Sequence, residues 1–320
     1  RNFDWSPVIA HDSALGDGQA VSWSIEKILA AGDGPRFNAV GIYRPHEPWY
    51  VPQTYFDLHP LENIELPPVI DGDANDVPAI ALSRGVRPGR VSPFALHDWM
   101  IEDKTMKRWK EAVQAYLASI SFADSMVGLL LDALDESGRA DNTIVVLWSD
   151  HGFHLGEKGR WRKGTLWDES HRVPFIIAAP GVTKPGSISD TPVSTLDIYA
   201  TLTELTNLDK PEHVQGTSLV PILKDPNKSS NRAVVSTSLF RTHVVSGERY
   251  RYLSYQDGSE ELYDIKSDPH QWQNLASDPA LAKEKAALAQ WLPKINAPNL
   301  GSLQGTRRSG SGRQGPNGGR

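Results

Sequence analysis

The sequence contains no cysteine. Disulfides, thiolate metal sites and cysteine nucleophiles are therefore excluded, whatever the redox compartment. It also lacks an unbroken apolar run near the roughly 20 residues that span a bilayer, since Asp, Gly or Pro interrupts the longest candidates; a soluble protein without a membrane span is expected. The first residues, Arg1-Asn2-Phe3-Asp4-Trp5, show neither an initiator Met nor the charged and apolar regions of a signal peptide. We expect the true N-terminus to lie further upstream. Excess positive charge is missing too. Thirty-three basic against 39 acidic side chains leave a formal charge of -6, so no global basic field exists to hold nucleic acid, and an anionic ligand must be bound locally. No G-x-S-x-G elbow, P-loop, or G-x-G-x-x-G after a strand occurs, which removes those three enzyme classes.

What is present has the balance of a globular protein, with 39% hydrophobic and 22% charged residues over 320 positions, enough for one large domain and a smaller one. Gly18 to Ala31 reads as a helix closed by Gly32, and Phe37 to Ile42 as a strand that exits into the loop Arg44-Pro45-His46-Glu47-Pro48-Trp49. Pro60 to about Pro93 reads as a long irregular excursion. Trp109, Val113, Tyr116, Ile120, Ala123, Val127, Leu130 and Leu134 recur at spacings of three and four and mark the core stripe of a long helix ending near Gly138. Thr143 to Trp148 and Val173 to Ala178 are apolar runs of the kind buried on both faces of a sheet. Helix alternating with buried strand predicts an α/β domain with a mostly parallel central sheet, ligands gathering beyond the carboxyl ends of its strands.

Thr195 to Leu205 reads as a further helix. Beyond it, short strand-like runs at Ala233–Leu239, Thr242–Val245, Tyr250–Tyr255 and Glu261–Tyr263 predict a small antiparallel sheet, and Pro279 to Trp291 a terminal helix. The expected organisation is an α/β domain over 1–230, an α+β subdomain over 231–298 and a disordered Gly, Ser and Arg tail over 299–320.

Asp150-His151 stands at the end of the Thr143–Trp148 run, where a carboxylate beside a neutral imidazole is able to hold a divalent cation; as a strand-end pair it equally suits a turn or a helix N-cap. Lys158, Arg160, Arg162 and Lys163 place four cations in six positions just beyond it. Such a cluster suits sulfate or phosphate. For Lys158 and Arg160 a solvated basic loop is the expected reading. His46 lies between Pro45 and Pro48, in a loop stiffened on both sides.

With these motifs in order, the sequence resembles the sulfatase family of the alkaline-phosphatase-like superfamily, most nearly its iduronate-2-sulfatase type. AVGIYRPHEPWYVP, residues 39–52, is similar to the family segment that brings a His to the sulfate, and TIVVLWSDHGFHLGEKGRWRK, 143–163, to the one that supplies metal ligands and then a Lys. LWDESHRVPFIIAAPG, 166–181, follows in the expected order. So do Tyr250-Arg251-Tyr252, Glu261-Leu262-Tyr263-Asp264, Asp268-Pro269 and Asn274-Leu275 in the small domain.

The resemblance implies an alkaline-phosphatase-like fold and one bound Ca²⁺, with Asp150 and His151 as metal ligands. It implies Lys163 and His46 on the sulfate, and a sulfated carbohydrate as substrate. Phe153 and Trp167 are candidates to stack on a sugar face, with core packing as the other reading of both. The four polar groups are expected in one cleft, with tips about 4 to 8 Å apart. A periplasmic or extracellular location is also implied. One departure stands out: the family's nucleophile is a formylglycine made from Cys or Ser in the pattern C/S-x-P/A-x-R, near two further acidic ligands. Here Ser121, Ser267 and Ser277 have Ala or Pro two places on but no Arg two places further. Three readings follow: the C-terminal portion of an active sulfatase whose N-terminal half carries the nucleophile; an inactive sulfatase-fold protein that binds sulfated glycan or a partner chain; or a phosphate or phosphonate ester hydrolase of the same superfamily.

Overall fold

The computed structural model describes residues 3–30, 32, 34–83, 93–228 and 230–297. The expected tail over 299–320 and positions 84–92 of the long excursion lie outside them. Strand β1 (Trp5–Val8) precedes helix α1 (Gly16–Leu29), and β2 (Trp49–Pro52) runs directly into α2 (Gln53–Asp57). The excursion beyond Pro60 is largely irregular, interrupted by the short α3 (Ala79–Leu82). Then come α4 (Pro93–Glu102), the 30-residue α5 (Lys107–Glu136), β3 (Val145–Trp148), and the two-residue strands β4 (His154–Leu155) and β5 (Trp161–Arg162). Helix α6 (Asp168–His171), β6 (Phe175–Ala178), α7 (Asp197–Leu205) and α8 (Val220–Lys224) complete this part. The small sheet follows as β7 (Val234–Leu239), β8 (Thr242–Ser246), β9 (Tyr250–Ser254) and β10 (Glu260–Asp264), and α9 (Ala282–Ala289) closes the described chain.

Two expectations change. Phe37 to Ile42 is irregular, because no neighbouring strand among the described residues satisfies its amides; the strand of this region is β2, paired in parallel with β1 from Trp5↔Trp49 to Val8↔Pro52. His46 therefore precedes a strand rather than leaving one. The second change concerns β3 and β6, which pair with each other antiparallel, Val145↔Ala178 through Trp148↔Phe175. They are not buried on both faces, for Trp148 and Ile176 are 47% and 57% exposed. Within the α/β class, β1–β2 is the parallel ladder among the described residues.

Helix α5 organises the main core. Trp109, Ala112, Val113, Ala115, Ala118, Ser119, Phe122, Met126 and Ala133 are its buried positions. The buried face is thus rotated from the expected stripe: small Ala residues point inward while Ile120 lies exposed. By length and composition α5 is also long and apolar enough to cross a membrane, which the reading of broken apolar runs overlooked. Its buried face packs with Trp49, Val51, Phe56, Met100 and Trp161 in one hydrophobic cluster.

The small sheet has strand order β10-β9-β8-β7, antiparallel throughout as expected. Successive side chains on a strand point to opposite faces. Val245, Tyr252 and Leu262 accordingly pack toward α9, while Val244, Leu253, Tyr255 and Tyr263 pack against Leu166, Trp167, Val77 and Ala81 of the main body. Between these layers lies Glu261, fully buried, whose carboxylate accepts from Trp167 Nε1 (2.8 Å), Tyr255 Oη (2.5 Å) and Tyr263 Oη (2.5 Å). Arg251 adds an ion pair to Asp168 (2.7 Å) and a hydrogen bond to the Leu166 carbonyl (3.0 Å). Replacing Glu261 with Ala orphans three buried donors at about 1 to 3 kcal/mol each, so we expect a loss of roughly 3 to 5 kcal/mol in urea unfolding. A loss below about 1 kcal/mol would show that the three donors find other partners.

Candidate active site

Three segments meet at the site, and each is anchored by an aromatic ring a few residues from its polar end. Trp49 follows the His46 loop, Phe153 follows His151, and Trp161 precedes Lys163. Trp49 meets Phe153 edge-on at 5.7 Å, Phe3 contacts both Trp49 (5.0 Å) and Trp161 (5.4 Å), and Phe153 stacks on Tyr116 at 5.6 Å. Polar ties add to this packing. Trp49 Nε1 donates to the Pro45 carbonyl (2.8 Å), and Trp109, packed beside Trp161, donates to the Leu155 carbonyl (2.6 Å). The buried Asp17 at the first turn of α1 accepts from the Tyr43 and Arg44 amides (2.8 and 3.1 Å), which fixes the entry to the His46 loop. Gly152 lets its segment approach closely: a Cβ there would sit 2.0 Å from the Glu169 carbonyl oxygen.

Lys163, His46, His151 and Asp150 come together. Lys163 Nζ lies 3.1 Å from His46 Nε2 and 2.6 Å from His151 Nε2, and His151 Nε2 lies 3.5 Å from Asp150 Oδ2. These separations are shorter than expected, because the ammonium bonds directly to both imidazoles. On each ring Nδ1 faces a backbone carbonyl, Glu47 O at 2.7 Å for His46 and Gly152 O at 2.8 Å for His151. A carbonyl oxygen only accepts, so an Nδ1–H donated to each carbonyl leaves the Nε2 lone pair facing the shared space; the Tyr43 hydroxyl also lies 2.8 Å from His46 Nδ1. That lone pair suits a metal ion or a proton. Asp150 is exposed and adds a carboxylate at the rim.

Asp150 and His151 supply two donors suited to a divalent cation, and His151 is in the required tautomer. Among the described residues no group of three or more His, Cys, Asp or Glu forms a metal site. The pair alone falls short of the six to eight oxygen-rich ligands typical of Ca²⁺.

Two expected roles are corrected, and for two further residues the surroundings fit the core-packing reading. Lys158 and Arg160 are buried, 3% and 1% exposed, not solvated: Lys158 Nζ pairs with Asp73 (2.7 Å) and donates to Gln271 O (2.6 Å), while Arg160 donates to the Ala81 and Leu82 carbonyls (2.9 and 2.6 Å). Lys158 ties the long excursion to the small domain, and Arg160 ties it to the main body. Trp167 is 1% exposed with its Nε1 on Glu261, so it presents no face to a sugar. Phe153 packs against the main core through Trp49 and Tyr116.

Other groups were invisible in the sequence. Glu157 accepts from the Leu155 amide (2.6 Å), and burial pushes its carboxyl up to about 7. His154 is fully buried beside Thr165 (2.7 Å), and burial followed by the charges of Arg160 and Lys158 pushes it down to about 3. It is neutral at pH 7. Burial likewise raises the Glu169 carboxyl, whose Oε2 is buried without a hydrogen-bond partner.

The sequence matches the Sulfatase family over residues 11–208, and the family described as N-sulphoglucosamine sulphohydrolase, C-terminal, over residues 156–297. It is 40% identical over 296 residues to a sulfatase from Formosa agariphila, covering 92% of this chain and 57% of that one. Human iduronate 2-sulfatase is 32% identical over 192 residues, 54% of this chain and 32% of its own length. The solved structure of BT4656 in complex with its substrate D-glucosamine-2-N,6-O-disulfate superposes with a TM-score of 0.54 at 29% identity, over 59% of this chain and 41% of that one. This chain belongs to the sulfatase family. It spans about half the length of the curated relatives it matches.

Glu157 makes a prediction about pH. Its folded pKa of about 7 lies above the ordinary 4.5, so between these values the folded protein keeps a proton that the unfolded chain releases. Its contribution to stability therefore falls as pH rises from about 4.5 to about 7 and is flat above, a change of up to about 3 kcal/mol. Glu157→Gln should flatten this part of the profile and unfold later than wild type at pH 8. Parallel urea profiles for the two proteins would refute the assignment.

Proposed function

We propose that this chain carries the sulfate-holding side of a sulfuric ester hydrolase that acts on sulfated carbohydrate. The observation that carries the reading is the convergence of Lys163 Nζ on His46 Nε2 and His151 Nε2 from three separate segments. The name of human iduronate 2-sulfatase and the disulfated glucosamine held by BT4656 support a sulfated sugar. Sulfated uronate is the finer reading. Such polymers are met outside the cytoplasm, and we place the protein in the periplasm or beyond the cell.

Lys163 holds a sulfate oxygen as a compact positive charge. His46 works through Nε2, since Nδ1 is committed to the Glu47 carbonyl. Protonated there, it donates to a sulfate oxygen or delivers the proton to the leaving sugar oxygen. A divalent cation such as Ca²⁺, when bound, adds charge stabilisation for the sulfate. Asp150 and His151 would contribute to holding it, with further ligands from outside the described residues.

The chain contains no residue in the pattern that becomes the family's nucleophile. We infer that an N-terminal half supplies it, together with the remaining metal ligands. Exposed apolar side chains support such a partner: Trp148 and Ile176 on the β3–β6 pair, Leu129 and Leu131 on α5, and Leu196 and Tyr199 at α7. The chain alone should therefore leave an aryl sulfate unhydrolysed, should bind a hydrophobic dye, and should bind Ca²⁺ weakly in calorimetry until an N-terminal half is added. Sulfate release by the chain alone that Lys163→Ala abolishes, or tight Ca²⁺ binding without the partner, would sink this reading. A monodisperse monomer that binds sulfated glycan without hydrolysing it would instead favour an inactive binding protein.

A further inference from the structure

Lys163 and His46 each have a charged neighbour, and those neighbours pair with one another. Arg162 Nε lies 2.7 Å from Glu47 Oε1, with the two side chains only 18% and 13% exposed. The ion pair runs between the loop that carries His46 and the strand that leads to Lys163. Arg162 Nε and Glu47 Oε2 are both buried without an aligned hydrogen bond, so the contact is one of charge and the carboxylate keeps unused accepting capacity. Lys163 adjoins Arg162 and bonds to His46, the residue before Glu47, so its ammonium lies near this ion pair; burial raises the Glu47 carboxyl, while Arg162, and after it His46 and Lys163, pull it down.

The backbone of Arg162 also sets it apart. Its φ is +76°, in the left-handed region that disfavours a side chain and favours glycine. Gly164, two residues on, has a similar φ of +97° and no side chain to strain. Position 162 instead holds a long cation whose guanidinium packs over the Phe3 ring at 5.4 Å and reaches Glu47. That places a planar, pre-organised guanidinium on the buried carboxylate, beside a flexible lysine able to take the same partner.

We propose that Arg162 is a positioning residue: by occupying Glu47 it prevents that carboxylate from capturing Lys163, and so keeps the Lys163 ammonium on the two Nε2 atoms where an oxyanion can reach it. A buried carboxylate deprived of its counter-ion draws the nearest available cation. The inference rests on the reading of Lys163 as an oxyanion holder. It differs from a simple brace between loops, because the damage from losing Arg162 should vanish when Glu47 loses its charge as well.

The test is calorimetric titration of sodium sulfate into the full 320-residue chain and its variants. Arg162→Met should weaken sulfate binding by about tenfold or more. The double variant Glu47→Gln, Arg162→Met should return to within about threefold of wild type, and Glu47→Gln alone should bind no more weakly than wild type. A brace predicts the reverse, with the double variant at least as weak as Arg162→Met and Glu47→Gln impaired; either result overturns the proposal. Glu47→Gln also keeps the test decisive should Arg162→Met fail to fold. Lys163→Ala separates the two readings. If it binds sulfate like wild type, or wild type binds none, the oxyanion role is wrong and the position of Lys163 in crystals of Arg162→Met decides the inference alone. Lys163 Nζ on the Glu47 carboxylate supports it, and Nζ still on His46 and His151 overturns it.

Discussion

The edge-on contact between Trp49 and Phe153, with Phe3 bridging to Trp161, is the constraint on which the site depends. Three polar side chains on separate segments, one of them 117 residues from Lys163, have no reason to converge by themselves, since bringing an ammonium near two imidazoles gains little and costs side-chain entropy. The aromatic rings bear that cost. Their burial stabilises the segments to which His46, His151 and Lys163 belong, and pairs of this geometry contribute about 0.5 to 1.5 kcal/mol beyond area alone. The site is thus a by-product of core packing a few residues away, which is how a loop can hold a functional group with the precision of a regular element.

A second, polar layer ties the small sheet to the same body. Glu261 and Arg251 face inward from β10 and β9 and meet Trp167, Asp168 and Leu166, while Lys158 joins Asp73 to the Gln271 carbonyl. Every acceptor position of the Glu261 carboxylate that faces a donor is used, which makes a buried charge tolerable. Such networks favour one arrangement of the two parts over others more than they add raw stability.

Much of this was legible in the sequence, and the reasons for the exceptions are physical. Helix α5 and the four short strands of the small sheet carry their own periodicity, and His46, Asp150, His151 and Lys163 stand in recognisable motifs. The four cations between 158 and 163 look alike in one dimension, yet they divide into two buried anchors, one partner of Glu47 and one candidate site residue. What separates them is a partner far along the chain: Asp73 lies 85 residues from Lys158, and the Gln271 carbonyl 113. No local pattern encodes such a distance. Phe37 to Ile42 failed for a related reason, because a strand is defined by its neighbour and not by its own composition.

The two backbone carbonyls that fix the imidazoles have a consequence for how the site can change over generations. In many enzymes a carboxylate side chain sets the tautomer of a histidine, and one substitution of that residue undoes it. Here the main chain at Glu47 and Gly152 meets each Nδ1, joined at His46 by the Tyr43 hydroxyl, and a carbonyl is present whatever amino acid is encoded. Position 47 is therefore free to trade its charge without turning the His46 ring. Drift at such a site can retune the field around the ammonium while the direction of both lone pairs is inherited from the path of the loops.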